Sequence, residues 1–143
     1  MTRFAEGPAG HSPLLDTHVW VWWLLGDQRL KPRDRDTLDA LPADHRPALC
    51  DISLWEVALL VQRGRLRLQT NLVEWLAVAA SPATVTVMPI TAAIAVEMNR
   101  LPEGFHQDPA DRLIVATARV TGRPVATHDA RIRRSRLVKL WRA

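Results

Sequence analysis

One cysteine, no tyrosine, two phenylalanines and two lysines are what this chain of 143 residues has least of. The lone Cys50 excludes an internal disulfide framework, and its place in the apolar run 48–52 makes it a buried small hydrophobe rather than a nucleophile. Long apolar runs are absent too: residues 19–25 fall far short of the roughly 20 that a membrane span needs, so no membrane segment is expected. Residues 1–12 lack the basic start, apolar middle and small-residue cleavage site of a secretion signal, and read as a flexible leader. A cytoplasmic protein is the resulting expectation. Without repeats, low-complexity tracts or an interdomain linker, residues 13–143 are expected to form one domain. A chain of this length buries about two-thirds of its unfolded surface.

Acid is missing from the last thirteen residues, which carry Arg131, Arg133, Arg134, Arg136, Lys139 and Arg142. The net charge is +4, yet residues 1–130 hold 13 basic and 15 acidic residues, a net of −2. Positive charge gathered at one end attracts polyanions, nucleic acid above all. A solvated, frayed terminus fits the same cluster. Seventeen of the nineteen basic residues are arginine, the side chain that grips phosphate bidentately, although high-GC codon usage produces the same bias.

What is present is an alternation of strand-like and helical segments. Residues 13–16, 47–52, 84–90, 124–127 and 137–140 read as strands. Residues 17–25 predict a helix closed by Gly26, residues 31–44 a short helix bracketed by Pro32 and Pro42, and residues 53–64, 71–80, 91–100 and 109–121 further helices. Strands separated by helices imply right-handed crossovers, a central parallel sheet and helices on both faces: an α/β single domain.

In such a sheet, ligands collect at the carboxyl ends of the strands. Four acids fall there: Asp16 ends the first strand, Asp129 follows the 124–127 strand, Glu56 lies one turn into the helix after the 47–52 strand, and Asp111 is in the first turn of the 109–121 helix. Carboxylates brought to one edge make a site for hard cations, which suit phosphate chemistry. Each acid also has a structural role open to it. Ser53-Leu54-Trp55-Glu56 fits a capping box, Asp108-Pro109-Ala110-Asp111 fits a capped helix start with Asp108 as cap, and Asp129 suits a turn. Asp16 is hardest to assign a structural role, because an unpaired carboxylate at a sheet centre is costly.

The runs Leu14-Leu15-Asp16-Thr17-His18-Val19-Trp20, Ser53-Leu54-Trp55-Glu56-Val57-Ala58 with Arg63-Gly64-Arg65-Leu66, His106-Gln107-Asp108-Pro109-Ala110-Asp111-Arg112-Leu113-Ile114-Val115-Ala116-Thr117-Ala118, and Thr127-His128-Asp129 resemble PIN-domain proteins. They are most similar to VapC-type toxins of toxin–antitoxin pairs, from Pro13 onward and in the right order and spacing. The resemblance implies a PIN-like α/β/α sandwich and a Mg²⁺- or Mn²⁺-dependent endoribonuclease that hydrolyses RNA by a metal-activated water. It implies a cognate antitoxin as inhibitor, and a homodimer or a larger assembly with it. By position, Asp16, Asp111 and Asp129 match metal ligands, Glu56 completes the acidic cluster, and Asp108 is a fifth candidate. Thr17 and Thr127 would orient these groups or bound water. The chain departs from the common pattern at Ala110, where a bulky aromatic is frequent, and in placing His128 between Thr127 and Asp129. Neither change removes a carboxylate. His106 and His128 stand beside the motifs, where loop hydrogen bonding and catalytic assistance are both open to them.

Two other classes remain. A phosphoacceptor receiver domain wants an acidic pair after the first strand and a late lysine, whereas here Thr17 follows Asp16 and Lys139 lies in an apolar strand. A non-catalytic nucleic-acid module would use the C-terminal arginines, with the acids only as caps. Six tryptophans are present, and Trp20 and Trp23 share a helix face while Trp22 points elsewhere. An exposed member of that trio, with residues 29–42, is expected in an antitoxin groove or a homodimer contact.

Overall fold

Strands of only two or three residues suffice for the sheet because both of its faces are covered. The structure, a computed structural model, describes residues 12–143. Strands β1 (Leu14–Leu15), β2 (Ala48–Cys50), β3 (Thr86–Met88) and β4 (Val125–Ala126) run in the order β3-β2-β1-β4, all parallel. Leu14 stands beside Ala48 and Val125, and Leu15 beside Leu49 and Ala126. Successive side chains point to opposite faces. Leu15, Leu49 and Ala126 accordingly enter one core, while Leu14, Ala48, Cys50 and Val125 enter the other.

The first face is covered by α1 (Thr17–Leu25), α2 (Pro32–Asp39), α3 (Ile52–Gln62) and α4 (Leu72–Ala79). The second is covered by α6 (Pro109–Thr121) through Ile114 and Ala118. Against α6 pack α5 (Ala92–Arg100), through Ile94, and α7 (Ala130–Ser135), through Ile132. This is the α/β/α sandwich around a parallel sheet that the sequence predicts. Gly26 and Gly122 end α1 and α6 in the left-handed conformation, with φ of 67° and 71°, where glycine avoids a steric cost. Trp20 and Trp23 are core residues whose indole N–H groups donate to Ala79 O (3.0 Å) and Asp39 Oδ1 (2.8 Å).

Several local expectations need correction. The strands are shorter than predicted, and residues 137–140 contribute a single parallel bridge, Leu140 to Val125. Residues 130–135 form a helix where only a turn was expected, because the Asp129 side chain caps it and Ile132 anchors it. Helix α3 begins at Ile52, so Ser53 lies inside it rather than at its cap. Of the proposed leader, residues 1–11 lie outside the described residues, whereas Ser12 is buried and donates to His45 O at 2.8 Å. Cys50 is a free, buried thiol, pushed up to about 11 mainly by burial. No helix among the described residues is long and apolar enough to cross a membrane.

Candidate active site

Because β1 and β4 are adjacent and parallel, Asp16 and Thr127, which follow them, emerge at the same edge. Asp16 caps α1: Oδ1 accepts from Val19 N at 2.8 Å, and Oδ2 accepts from the Thr127 hydroxyl. Its carboxyl is buried, and burial raises its pKa above the usual range against the lowering effect of those two donors. The Thr127 hydroxyl in turn accepts from Asp129 N at 2.9 Å.

Glu56 takes its place through a second hydroxyl relay. Thr17 Oγ1 donates to Glu56 Oε1 and lies 2.8 Å from Ser53 Oγ. A hydroxyl has one proton, so Thr17 gives its own to Glu56 and Ser53 donates to Thr17. The capping-box alternative for Ser53 and Glu56 is therefore not what the structure adopts: Asp51 stands at the cap of α3 without a side-chain bond. Burial, the largest influence, raises the Glu56 pKa.

Asp108 is the cap of α6, with Oδ1 accepting from Ala110 N at 2.9 Å and Asp111 N at 3.2 Å. Asp129 caps α7, with Oδ1 accepting from Arg131 N at 2.8 Å and Ile132 N at 3.1 Å. Capping and site roles are not exclusive here. Asp16, Thr17, Glu56, Asp108, Asp111 and Asp129 all line one cleft of about 440 Å³, together with His18, Trp22, Arg29 and His128. Asp111, in the first turn of α6, is pushed up to about 7, first by burial and then by the charges of Asp108, Asp129, Glu56 and Asp16. A larger cleft of about 610 Å³ shares His128 and is lined by Lys31, Arg33, Arg133 and Arg142. Its basic side chains outnumber the one acidic side chain there, Asp34, whereas the other carboxylates gather in the smaller cleft.

Two residues matter more than their local sequence suggests. His106 Nε2 lies 3.0 Å from Asp111 Oδ2, near enough for an ion pair but out of line for a hydrogen bond. It is a buried polar atom without a hydrogen-bond partner among the described residues. Arg112 ties the preceding loop to α5, donating to Phe105 O (3.3 Å) and His106 O (3.4 Å) in the loop and to Met98 O (3.2 Å) in α5, and so fixes where His106 stands. Its place directly after Asp111 in the motif was the available signal; nothing local in the sequence marks Ser53 as a buried relay.

The donor set suits a hard divalent cation. His106, Asp111 and Asp129 each present a ligand atom, all within 4.8 Å of one another. Oxygen donors in excess of their neutralising partners, raised carboxyl pKa values and a buried orphan nitrogen are what a cation would relieve. Asp16 is not one of that trio, but it faces the same cleft.

Comparison with known proteins agrees with this architecture. The PIN domain pattern matches residues 14–136. The chain is 40% identical over 124 residues to Ribonuclease VapC22 of Mycobacterium tuberculosis (strain ATCC 25618 / H37Rv), a match spanning 86% of this chain and 91% of that relative. With its sheet order, its carboxylate edge and these matches, the chain belongs to the PIN-domain family, among its VapC-type members.

Proposed function

We propose that the protein is a cytoplasmic, Mg²⁺- or Mn²⁺-dependent endoribonuclease, the toxin of a type II toxin–antitoxin pair. The observation that carries this reading is the convergence of Asp16, Glu56, Asp108, Asp111 and Asp129 on one cleft. The 40% identity to a protein named a ribonuclease supports it.

Asp16, Asp111 and Asp129 would hold the ion, directly or through water, with His106 as a further donor. The cation supplies charge neutralisation at the phosphate and a lowered pKa for water. Glu56, oriented by Thr17 and with its pKa raised by burial, is poised to accept a proton from the attacking water. Thr127 locks Asp16 and the Asp129 backbone in a fixed relation, which pre-organises the charges before substrate arrives. The neighbouring basic cleft, with Lys31, Arg33, Arg133 and Arg142, supports passage of the RNA backbone past the site.

The antitoxin and the homodimer belong to the same proposal. Of the three tryptophans of α1, Trp20 and Trp23 are buried and Trp22 is half-buried, while a more exposed anchor stands on α3: Trp55 is 60% exposed, with Val73 (80%) and Val78 (69%) on α4. These favour the α3–α4 face for the antitoxin, while exposed Val96 of α5 and Val120 of α6 favour contact with a second copy.

The test is cleavage of mixed tRNA and rRNA by antitoxin-free protein with Mg²⁺ or Mn²⁺ and then with EDTA. The expected result is cutting that needs the metal and that Asp16→Asn loses. RNA binding that survives EDTA, without cutting in any metal, would favour a binding module built on the C-terminal arginines.

A further inference from the structure

Part of the carboxylate cleft is made of groups that metal chemistry does not require. Trp22 is half-buried there, with the Arg29 guanidinium 4.9 Å from its ring centroid, His128 edge-on at 5.1 Å and His18 tilted at 5.9 Å. All four line the same cleft as Asp16, Glu56 and Asp111. His18, Arg29 and His128 are exposed.

Packing explains the cluster only in part: Trp22 rests against the core of the first face, while His18, Arg29 and His128 around it are exposed. Trp20 and Trp23 each commit the indole N–H to a protein acceptor, whereas Trp22 makes no such bond among the described residues. Arg29 is held over the indole by Asp27, through Nε to Oδ1 at 3.1 Å and Nη2 to Oδ2 at 2.7 Å. Two of its five donors are thereby spent, which fixes its plane against the indole and leaves three N–H groups. Phosphate needs donors alone; an indole flanked by two imidazoles and a fixed guanidinium plane adds aromatic surface that suits a flat π ligand. Next to a site for phosphate chemistry, that ligand is a nucleobase.

We propose that His18, Trp22, Arg29 and His128 form a stacking subsite for an unpaired nucleobase adjoining the scissile phosphate. This rests on the ribonuclease reading above. Stacking is tolerant of base identity, so the subsite demands an accessible base rather than a particular one. A base within a duplex is already stacked and is refused.

The test uses the full-length Asp16→Asn protein, which blocks cutting, and three labelled probes in Mg²⁺: a mixed-sequence 12-nucleotide RNA, the same strand made abasic, and the strand annealed to its complement. The expected result, from stacking magnitudes, is about tenfold or greater preference for the single strand over either other probe. Trp22→Leu should abolish that preference while leaving the affinity for the abasic strand unchanged, and Trp22→Phe should retain it. Should Trp22→Leu not fold, His128→Ala at an exposed position should reduce the preference severalfold. Equal affinity for all three probes overturns the subsite, as does an equal drop for every probe in the variants. Weaker antitoxin binding by Trp22→Leu with the base preference intact assigns the surface to protein and also overturns it. Metal-dependent cutting by the protein with native Asp16 is scored separately. Its absence beside an intact base preference overturns the nuclease reading and leaves the subsite standing, whereas cutting without any preference overturns the subsite alone.

Discussion

On the α1 and α3 side of the cleft, hydroxyl groups hold the carboxylates: Thr127 bonds Asp16, and Ser53 acts through Thr17 on Glu56. On the α6 and α7 side, backbone amides at two helix starts hold Asp108 and Asp129, and Asp111 faces a histidine rather than a hydroxyl. The first arrangement is buried and tightly hydrogen-bonded, so it fixes direction. The second sets three carboxylates near one another with little to offset their repulsion, and so leaves charge that a cation would neutralise. A metal site needs both: donors that do not move, and charge that the protein itself has not cancelled.

The largest effect should come from removing charge on either side. Asp16→Asn and Asp111→Asn are expected to abolish RNA cleavage while far-UV circular dichroism stays native. Full activity in either folded variant would show that the carboxylate on that side is not part of the catalytic site. Removing a hydroxyl should cost less: Thr127→Val and Thr17→Val should lower activity by about 10- to 100-fold, the usual effect of losing a group that orients a ligand. They should also lower stability by about 1 kcal/mol, read from urea midpoints.

The carboxylates of the two sides together predict an unusual pH dependence in EDTA. Asp111 is pushed up to about 7, and Asp16 and Glu56 are also raised, burial being the first cause for each. A raised carboxyl pKa means that the folded protein binds the proton more tightly than the unfolded chain does. The stability it contributes is therefore complete below about pH 4 and is lost as pH climbs through about 7. Melting temperature should fall by about 4 °C or more between acidic and mildly basic buffer. Asp111→Asn should flatten that slope, and added Mg²⁺ should stabilise more at the basic end. A melting temperature that rises with pH in EDTA would contradict the charge balance described. The smallest effect is reserved for the far end of the relay, where Ser53→Ala should cost about 1 kcal/mol or less and reduce activity less than Thr17→Val does.

Much of this architecture is written locally. Alternation at Leu14 and Leu15, or at Val125 and Ala126, tells which face each residue serves, and Gly26, Gly122 and Pro109 mark helix ends through backbone conformation alone. The acids stood out because they follow strands or open helices. What was not legible depends on contacts far apart in the chain. The Ser53 pattern matches a capping box as well as a buried relay, and only the arrival of Thr17, 36 residues away, decides between them. Helix α7 has one buried apolar residue, Ile132, too few for a periodicity to register. Exposure was equally hidden: Trp20 and Trp55 sit in similar apolar helices, yet one is buried and the other 60% exposed.

The decisive measurement is titration of Mn²⁺ into antitoxin-free protein at mildly basic pH, followed by calorimetry beside Asp111→Asn and Thr127→Val. A cation site held by these carboxylates should give saturable binding that Asp111→Asn abolishes and Thr127→Val weakens by about tenfold or more. Binding of equal strength in all three, or none by the folded protein with its native residues, would contradict a cation site built from these carboxylates.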